Sequence, residues 1–233
     1  MIIRLLFKYL SHVVNELYVL RGRRFMYYGE KLNSITHLVG AILALVGFGS
    51  LLTIAFEQAH WRIVVSFVVF GLTLIMLYSM STLYHSLQSV KLKKVFQQLD
   101  HVSIYLLIAG TYTPYMLLSL EGDGGMLMLA LVWGLAVIGL VIDVLIVKRI
   151  EWLQIIIYLA MGWICVFKYS SLQNAIPGPG ITWLTVGGIA YTVGIVFYVL
   201  DDFDKLKHAH GIWHLFVLMG SVSHFISIAF YVR

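Results

Sequence analysis

The chain has 233 residues, of which 61% are hydrophobic and 12% charged, with a mean hydropathy of +0.91. Soluble domains carry roughly 25% charged residues, so this composition excludes a water-soluble globular protein and describes one built for a bilayer. The net charge of +5 invites a nucleic-acid reading, but the basic residues fall where membrane topology needs them, and no nucleic-acid partner is expected.

Residues 1–29 form the first expected unit. Arg4 and Lys8 interrupt its apolar residues, and Arg21, Arg23 and Arg24 follow. A secretory signal places its charges before an unbroken apolar core and ends in small residues. Neither holds here, so the segment reads as a cytoplasmic amphipathic helix lying on an anionic membrane surface.

Residues 30–233 form the second unit. Crossing the hydrocarbon takes ~20 apolar residues, and seven runs qualify: 38–56, 63–84, 102–120, 126–147, 152–167, 181–200 and 211–232. The linkers are short. The expected fold is therefore an all-α seven-transmembrane helix bundle. Pro114, within Gly110-Thr111-Tyr112-Thr113-Pro114, predicts a kink in the third span, with threonine hydroxyls able to reach the carbonyls it frees. Trp61, Trp152 and Trp183 fall at span ends, where amphipathic rings favour the interface. Cys165 is the one cysteine; with no disulfide possible, it reads as a small core residue.

The direction of the bundle follows from its lysines and arginines. Thirteen of the 16 precede the first span or fall in the loops on that same side, including Lys91, Lys93, Lys94, Lys148, Arg149 and Lys207. Only Arg62, Lys168 and Arg233 lie opposite. Positive loops stay inside, so the N-terminus is expected in the cytoplasm and the C-terminus outside.

His210 and His214 open the last span. Positions i and i+4 share one helix face, and both imidazoles can reach one metal ion at ~2.0–2.1 Å. Intramembrane ionisable groups are costly and mark function. The alternation of spans brings His85, at the end of span two, to the same leaflet. Three histidines from two helices plus an open position describe a catalytic zinc site, and neutral imidazoles favour Zn2+ over magnesium or calcium. Asp100, at the start of span three, can orient a ligand histidine, accept a proton from attacking water, or cap the helix. Ser81 lies one turn before His85 and can orient it or donate to an oxyanion, though a membrane serine also serves packing. Asp100 and Ser81 are thus the candidates for the chemistry, and His85, His210 and His214 for the metal.

Glu30, Asn33 and His37 share a helical face by their i, i+3, i+7 spacing and read, with Thr36, as groups that hydrogen-bond neighbouring helix ends. His37 is expected to make a structural hydrogen bond rather than ligate. His101 and His208 flank the motifs off the ligand face, and His12 and His60 lie away from the site. His224 lies ten residues beyond His214, ~15 Å along a helix, too far to join. Asp143 reads as half of an interfacial ion pair with Lys148 or Arg149. Asp201, Asp202 and Asp204 read as a solvated loop face.

Glu30-x-x-Asn33-x-x-Thr36-His37, Ser81-x-x-x-His85, Asp100, Gly110–Pro114 and His210-x-x-x-His214 together resemble the hemolysin III branch of the progestin and adipoQ receptor family. The resemblance runs from about Glu30 to the C-terminus. It implies a seven-helix bundle with zinc held by His85, His210 and His214. It also matches Asp100 to the family's acidic residue near the metal-bound water and Ser81 to its serine. The wider superfamily includes alkaline ceramidases, which hydrolyse lipid amides.

The leading expectation is a zinc-dependent hydrolase of lipid amides or esters in a bacterial inner membrane, with membrane lipids as partners. The alternatives are a receptor-like or regulatory protein with structural zinc, and a hemolysin-type cytolytic protein. A pore needs a continuous polar path, and most spans here lack a polar stripe. Substrate and oligomeric state are not legible in the residues.

Overall fold

The computed structural model describes residues 30–145, 150–202 and 206–232; the expected surface helix within 1–29 lies outside them. Seven helices are long and apolar enough to cross a membrane. They are α1 Lys31–Gln58, α2 Trp61–Ser86, α3 Val90–Ser119, α4 Gly125–Leu145, α5 Glu151–Ala175, α6 Gly178–Asp202 and α7 Ala209–Tyr231. Among the described residues there is no strand. A segment inside hydrocarbon must satisfy every backbone group internally, and the helix is the way a single apolar run does so.

The helices pack consecutively from α1 to α4, α6 pairs with α7, and α7 closes the bundle against α1. In α3, 72% of the most apolar window is buried, against 11% in α5; α3 is the most enclosed helix and α5 the least packed against its neighbours. Leu127, Leu145 and Phe167 are among the side chains turned outward. In water such a surface would drive aggregation; here it is the lipid-facing one.

Two helices start earlier than the apolar runs suggest. α1 begins at Lys31 and so takes the whole Glu30–His37 segment into its first two turns. α3 begins at Val90 after Ser89. Asp100 therefore lies in its third turn and is not its N-cap. The lysine-rich opening of α3 hid this start, because Lys91, Lys93 and Lys94 break the hydropathy while leaving the helix intact.

Pro114 ends the α-helical part of α3, which continues as a π-helical turn over Tyr115–Ser119. The Thr111 hydroxyl donates to the Leu107 carbonyl at 2.7 Å and Thr113 to Ala109 at 2.9 Å. α5 is also interrupted, by a 3-10 turn over Ile164–Lys168. The Tyr112 hydroxyl stitches that break, donating to the Gly162 carbonyl at 2.9 Å and accepting from the Cys165 N–H at 3.0 Å. Cys165 sits half-buried in this turn, at the edge of the core rather than within it.

Membrane helices gain no hydrophobic drive toward each other, so close packing at small residues carries the association. Two glycines set how closely α1 approaches its neighbours. A Cβ on Gly40 in α1 would run into the Tyr78 ring of α2. A Cβ on Gly211 in α7 would meet the Leu32 side chain and Asn33 Oδ1 of α1. Gly211 thus lets α7 approach α1 closely enough for His214 to touch its backbone.

Candidate metal centre

The start of α1, the end of α2, the end of α6 and the start of α7 meet at one end of the bundle, the end that carries most basic residues. His85 of α2 and His210 and His214 of α7 each present one ligand atom, and these atoms lie within 4.8 Å of one another. The ring centroids are 5.1 Å apart for His85–His210, 4.9 Å for His85–His214 and 4.8 Å for His210–His214.

What holds the rings decides which nitrogens point inward. His85 Nδ1 lies 2.9 Å from Glu30 Oε2, and His210 Nδ1 lies 3.2 Å from Asp201 Oδ2. His214 Nδ1 lies 3.0 Å from the Asn33 carbonyl and 3.3 Å from Thr36 Oγ1. An ionised carboxylate or a carbonyl can only accept, so each Nδ1 carries the proton and each Nε2 keeps its lone pair. A metal-bound histidine is held in this way, donating its other N–H to a carboxylate or backbone carbonyl. His85 Nε2 is buried and has no hydrogen-bond partner in the protein. Tetrahedral nitrogens at zinc bond lengths stand ~3.3 Å apart, so modest side-chain rotation closes the set on one ion. The donor set fits zinc: three neutral imidazoles with a fixed tautomer.

Glu30 is held in turn by Lys93, whose Nζ lies 2.8 Å from both carboxylate oxygens. Partial burial pushes the Glu30 carboxyl up, but the hydrogen bonds from His85 and Lys93 and the Lys93 charge outweigh it and leave the group below its ordinary range. It is therefore an acceptor at neutral pH.

Glu30 and Thr36 reach other helices through their side chains, as expected, while Asn33 does so through its backbone carbonyl. Asp201, read from sequence as part of a solvated loop, holds His210. Glu30, Asp201 and the Asn33 carbonyl hold the three rings at Nδ1, and Asp100 lines the cavity beside them. Ser81 Oγ is fully buried and has no hydrogen-bond partner, so it does not bond back to its own helix. His37 departs from expectation: neither of its ring nitrogens has a partner, and it packs between aromatic rings instead. Nothing in local spacing flags Asp201, whose contact depends on how α6 meets α7.

The remaining histidines stay out of the set. His224 is buried, with Nε2 bonded to the Leu184 carbonyl at 3.1 Å, and His60 precedes α2 at the opposite end. His101 and His208 line the cavity without joining the ligand trio. His12 lies outside the described residues. Asp143 accepts from Gln154 at 2.6 Å, while Lys148 and Arg149 lie outside the described residues.

A cavity of about 950 Å³ opens from this centre into the bundle. Glu30, Asp100 and Asp201 line its polar end, and Ile104, Leu159 and Leu172 are among the residues along its apolar length. α5 contributes much of that wall, which explains why so little of it is buried against other helices.

Fold and site together define a multi-pass integral membrane protein of seven helices, with a largely buried tri-histidine cluster able to hold a metal ion beside a largely apolar cavity. Residues 25–225 match the Haemolysin-III related family, and the chain belongs to that family. It is 41% identical over 203 residues to Hemolysin-3 of Bacillus cereus, covering 87% of this chain and 91% of that protein. Against the Hemolysin-3 homolog of Bacillus subtilis (strain 168) it is 40% identical over 202 residues, with 87% and 93% covered. More distantly, it is 28% identical over 206 residues to the Monocyte to macrophage differentiation factor of Homo sapiens, with 86% and 83% covered.

Proposed function

We propose that the protein is a zinc-dependent hydrolase of lipid amides or esters, working at the cytoplasmic face of a bacterial inner membrane. The observation that carries this reading is the placement of three Nδ1-anchored imidazoles on the wall of a largely apolar cavity of about 950 Å³, a volume that can take an acyl chain. His85, His210 and His214 would hold the ion through Nε2. Zinc, when bound, supplies a Lewis acid that polarises a carbonyl and activates water near neutral pH. Asp100, on the cavity wall, accepts the proton that the attacking water gives up and returns it to the leaving amine or alcohol as the C–N or C–O bond breaks. Ser81, with an uncommitted hydroxyl beside the cluster, donates to the carbonyl oxygen as negative charge develops there. The apolar wall holds the acyl chain and keeps bulk water from the reacting group.

The test combines metal analysis with lipidomics. Wild-type protein purified without chelators is expected to carry one zinc per chain, lost in His214→Ala. Membranes containing wild type are expected to show a matched fall in one lipid and rise in its cleaved product, absent with His214→Ala. A metal-free wild type rules out the centre, and stoichiometric zinc without any lipid change rules out the hydrolase.

The rival is a regulatory protein in which zinc is structural, favoured by one observation: the ligands staple α2 to α7, the second helix to the last. That rival predicts a loss of thermal stability on metal removal and no lipid turnover.

A further inference from the structure

The polar contacts behind His85 go beyond what holding a ring requires. Glu30 stands at the N-terminal boundary of α1, and its side chain makes no bond to the first turn's N–H groups. It reaches instead to His85 at the end of α2 and to Lys93 in the first turn of α3. Lys93 also donates to the Tyr84 carbonyl at 3.3 Å, and its ammonium sits 4.8 Å from the centre of the Tyr84 ring. Three helices are tied at one carboxylate. Both partners are about a quarter exposed, 28% for the Lys93 side chain and 27% for Glu30, and ion pairs at such positions add little stability. Stability alone does not account for the arrangement.

His85 is the ligand that needs outside support. His210 and His214 share one face of one helix, so their separation is set by backbone geometry. His85 stands alone on α2, one residue before that helix ends, where the last turn lacks onward hydrogen bonds and opens most readily. We infer that Glu30, clamped by Lys93, is a positioning residue that holds His85 in register with His210 and His214. This rests on the metal-centre reading above. A carboxylate with both oxygens on one ammonium cannot rotate away from the imidazole without breaking two charge-assisted hydrogen bonds. Lys93 also places a positive charge on the metal's side of the molecule, which by itself opposes cation binding. The clamp outweighs that repulsion because Glu30 lies between the two and the pair sits at the wet end of the bundle, where charge is screened within ~8 Å.

The experiment uses the full chain in lipid nanodiscs as wild type, Glu30→Gln, Glu30→Ala, Lys93→Met and Lys93→Arg. Each is stripped of metal and titrated with Co2+, with Zn2+ competition giving the affinity. The visible Co2+ bands report ligand geometry, and melting of the metal-free protein reports the fold. Glu30→Ala is expected to weaken binding ~10–100-fold, the usual cost of losing a group that orients a ligand. Lys93→Met is expected to weaken it ~10-fold, with altered Co2+ bands in both. Glu30→Gln, which keeps an acceptor, falls between Glu30→Ala and wild type, and Lys93→Arg restores wild-type behaviour. Metal-free melting stays near wild type throughout. Unchanged or tighter metal binding in Lys93→Met and Glu30→Ala overturns the inference. So does lowered metal-free melting with intact affinity, which marks a merely structural ion pair. A wild type that binds neither metal fails before any variant is compared, and removes the underlying metal reading instead.

Discussion

The imidazole of His37 lies parallel to that of His214, with ring centroids 3.6 Å and planes 11° apart, while Tyr78 meets it edge-on at 5.0 Å. His37 is 3% exposed and hydrogen-bonds through neither nitrogen. In the metal-free fold its contribution is therefore the face of its ring, which keeps His214 from turning. His37→Phe preserves that face and removes two buried polar atoms, so it should melt at or above wild type and keep its zinc. His37→Ala leaves a void behind His214 and should lose about 2 kcal/mol together with metal affinity. Loss of metal by His37→Phe, measured by elemental analysis, would show that the nitrogens and not the ring face are what the centre uses.

Asp201 does for His210 what Glu30 does for His85, across a longer 3.2 Å contact. Asp201→Asn keeps a carbonyl acceptor but loses the charge, and should weaken zinc binding by roughly tenfold in a chelator competition. Equal affinity would mean that the first turns of α7 hold His210 without help.

Metal removal should act on the fold as well as on chemistry. A ligand that binds the folded state alone at a thousand times its Kd stabilises by ~4 kcal/mol. Adding Zn2+ to the stripped wild type should therefore raise its melting temperature. His85→Ala should show no such rise. A similar rise in both would place the ion somewhere other than the tri-histidine cluster.

Gly40 is the point at which α1 admits the Tyr78 ring, and Tyr78 in turn meets Tyr191 at the Ser221 hydroxyl, each 2.7 Å from it. Gly40→Ala should cost ~1–3 kcal/mol by overpacking and loosen the stack on His214. Gly49→Ala in the same helix, where an added Cβ meets nothing within 4 Å, should be neutral or mildly stabilising. Thermal melting of the pair decides it, and equal curves would contradict the packing described.

Orientation is open to a labelling test. In a Cys165→Ser background, Lys94→Cys should react with an impermeant maleimide only in inverted vesicles, and Asp123→Cys only in intact cells. The reverse pattern would turn the bundle over and place the metal centre outside.

Much of the architecture was legible in the residues. Seven runs long enough to cross hydrocarbon gave seven helices, and His210 and His214 paired as their spacing requires, because both signals are local: one is length, the other the pitch of a single helix. Where the residues misled, a local signal was weak or ambiguous. The lysines opening α3 concealed ten residues of helix before Asp100. Asp201 looked like one of several loop acids. His37 looked like a hydrogen-bonding group, although its surroundings are aromatic.

What the chain determined by itself was the set of spans, their alternation, and hence that His85 shares an end of the bundle with His210 and His214. Only the tertiary structure decided which carboxylates and carbonyls anchor those rings, that Nδ1 is the nitrogen they hold, and that a cavity lies beside them. Contacts between helices depend on where small residues such as Gly211 and Gly40 allow two backbones to close. No period within one helix encodes that distance.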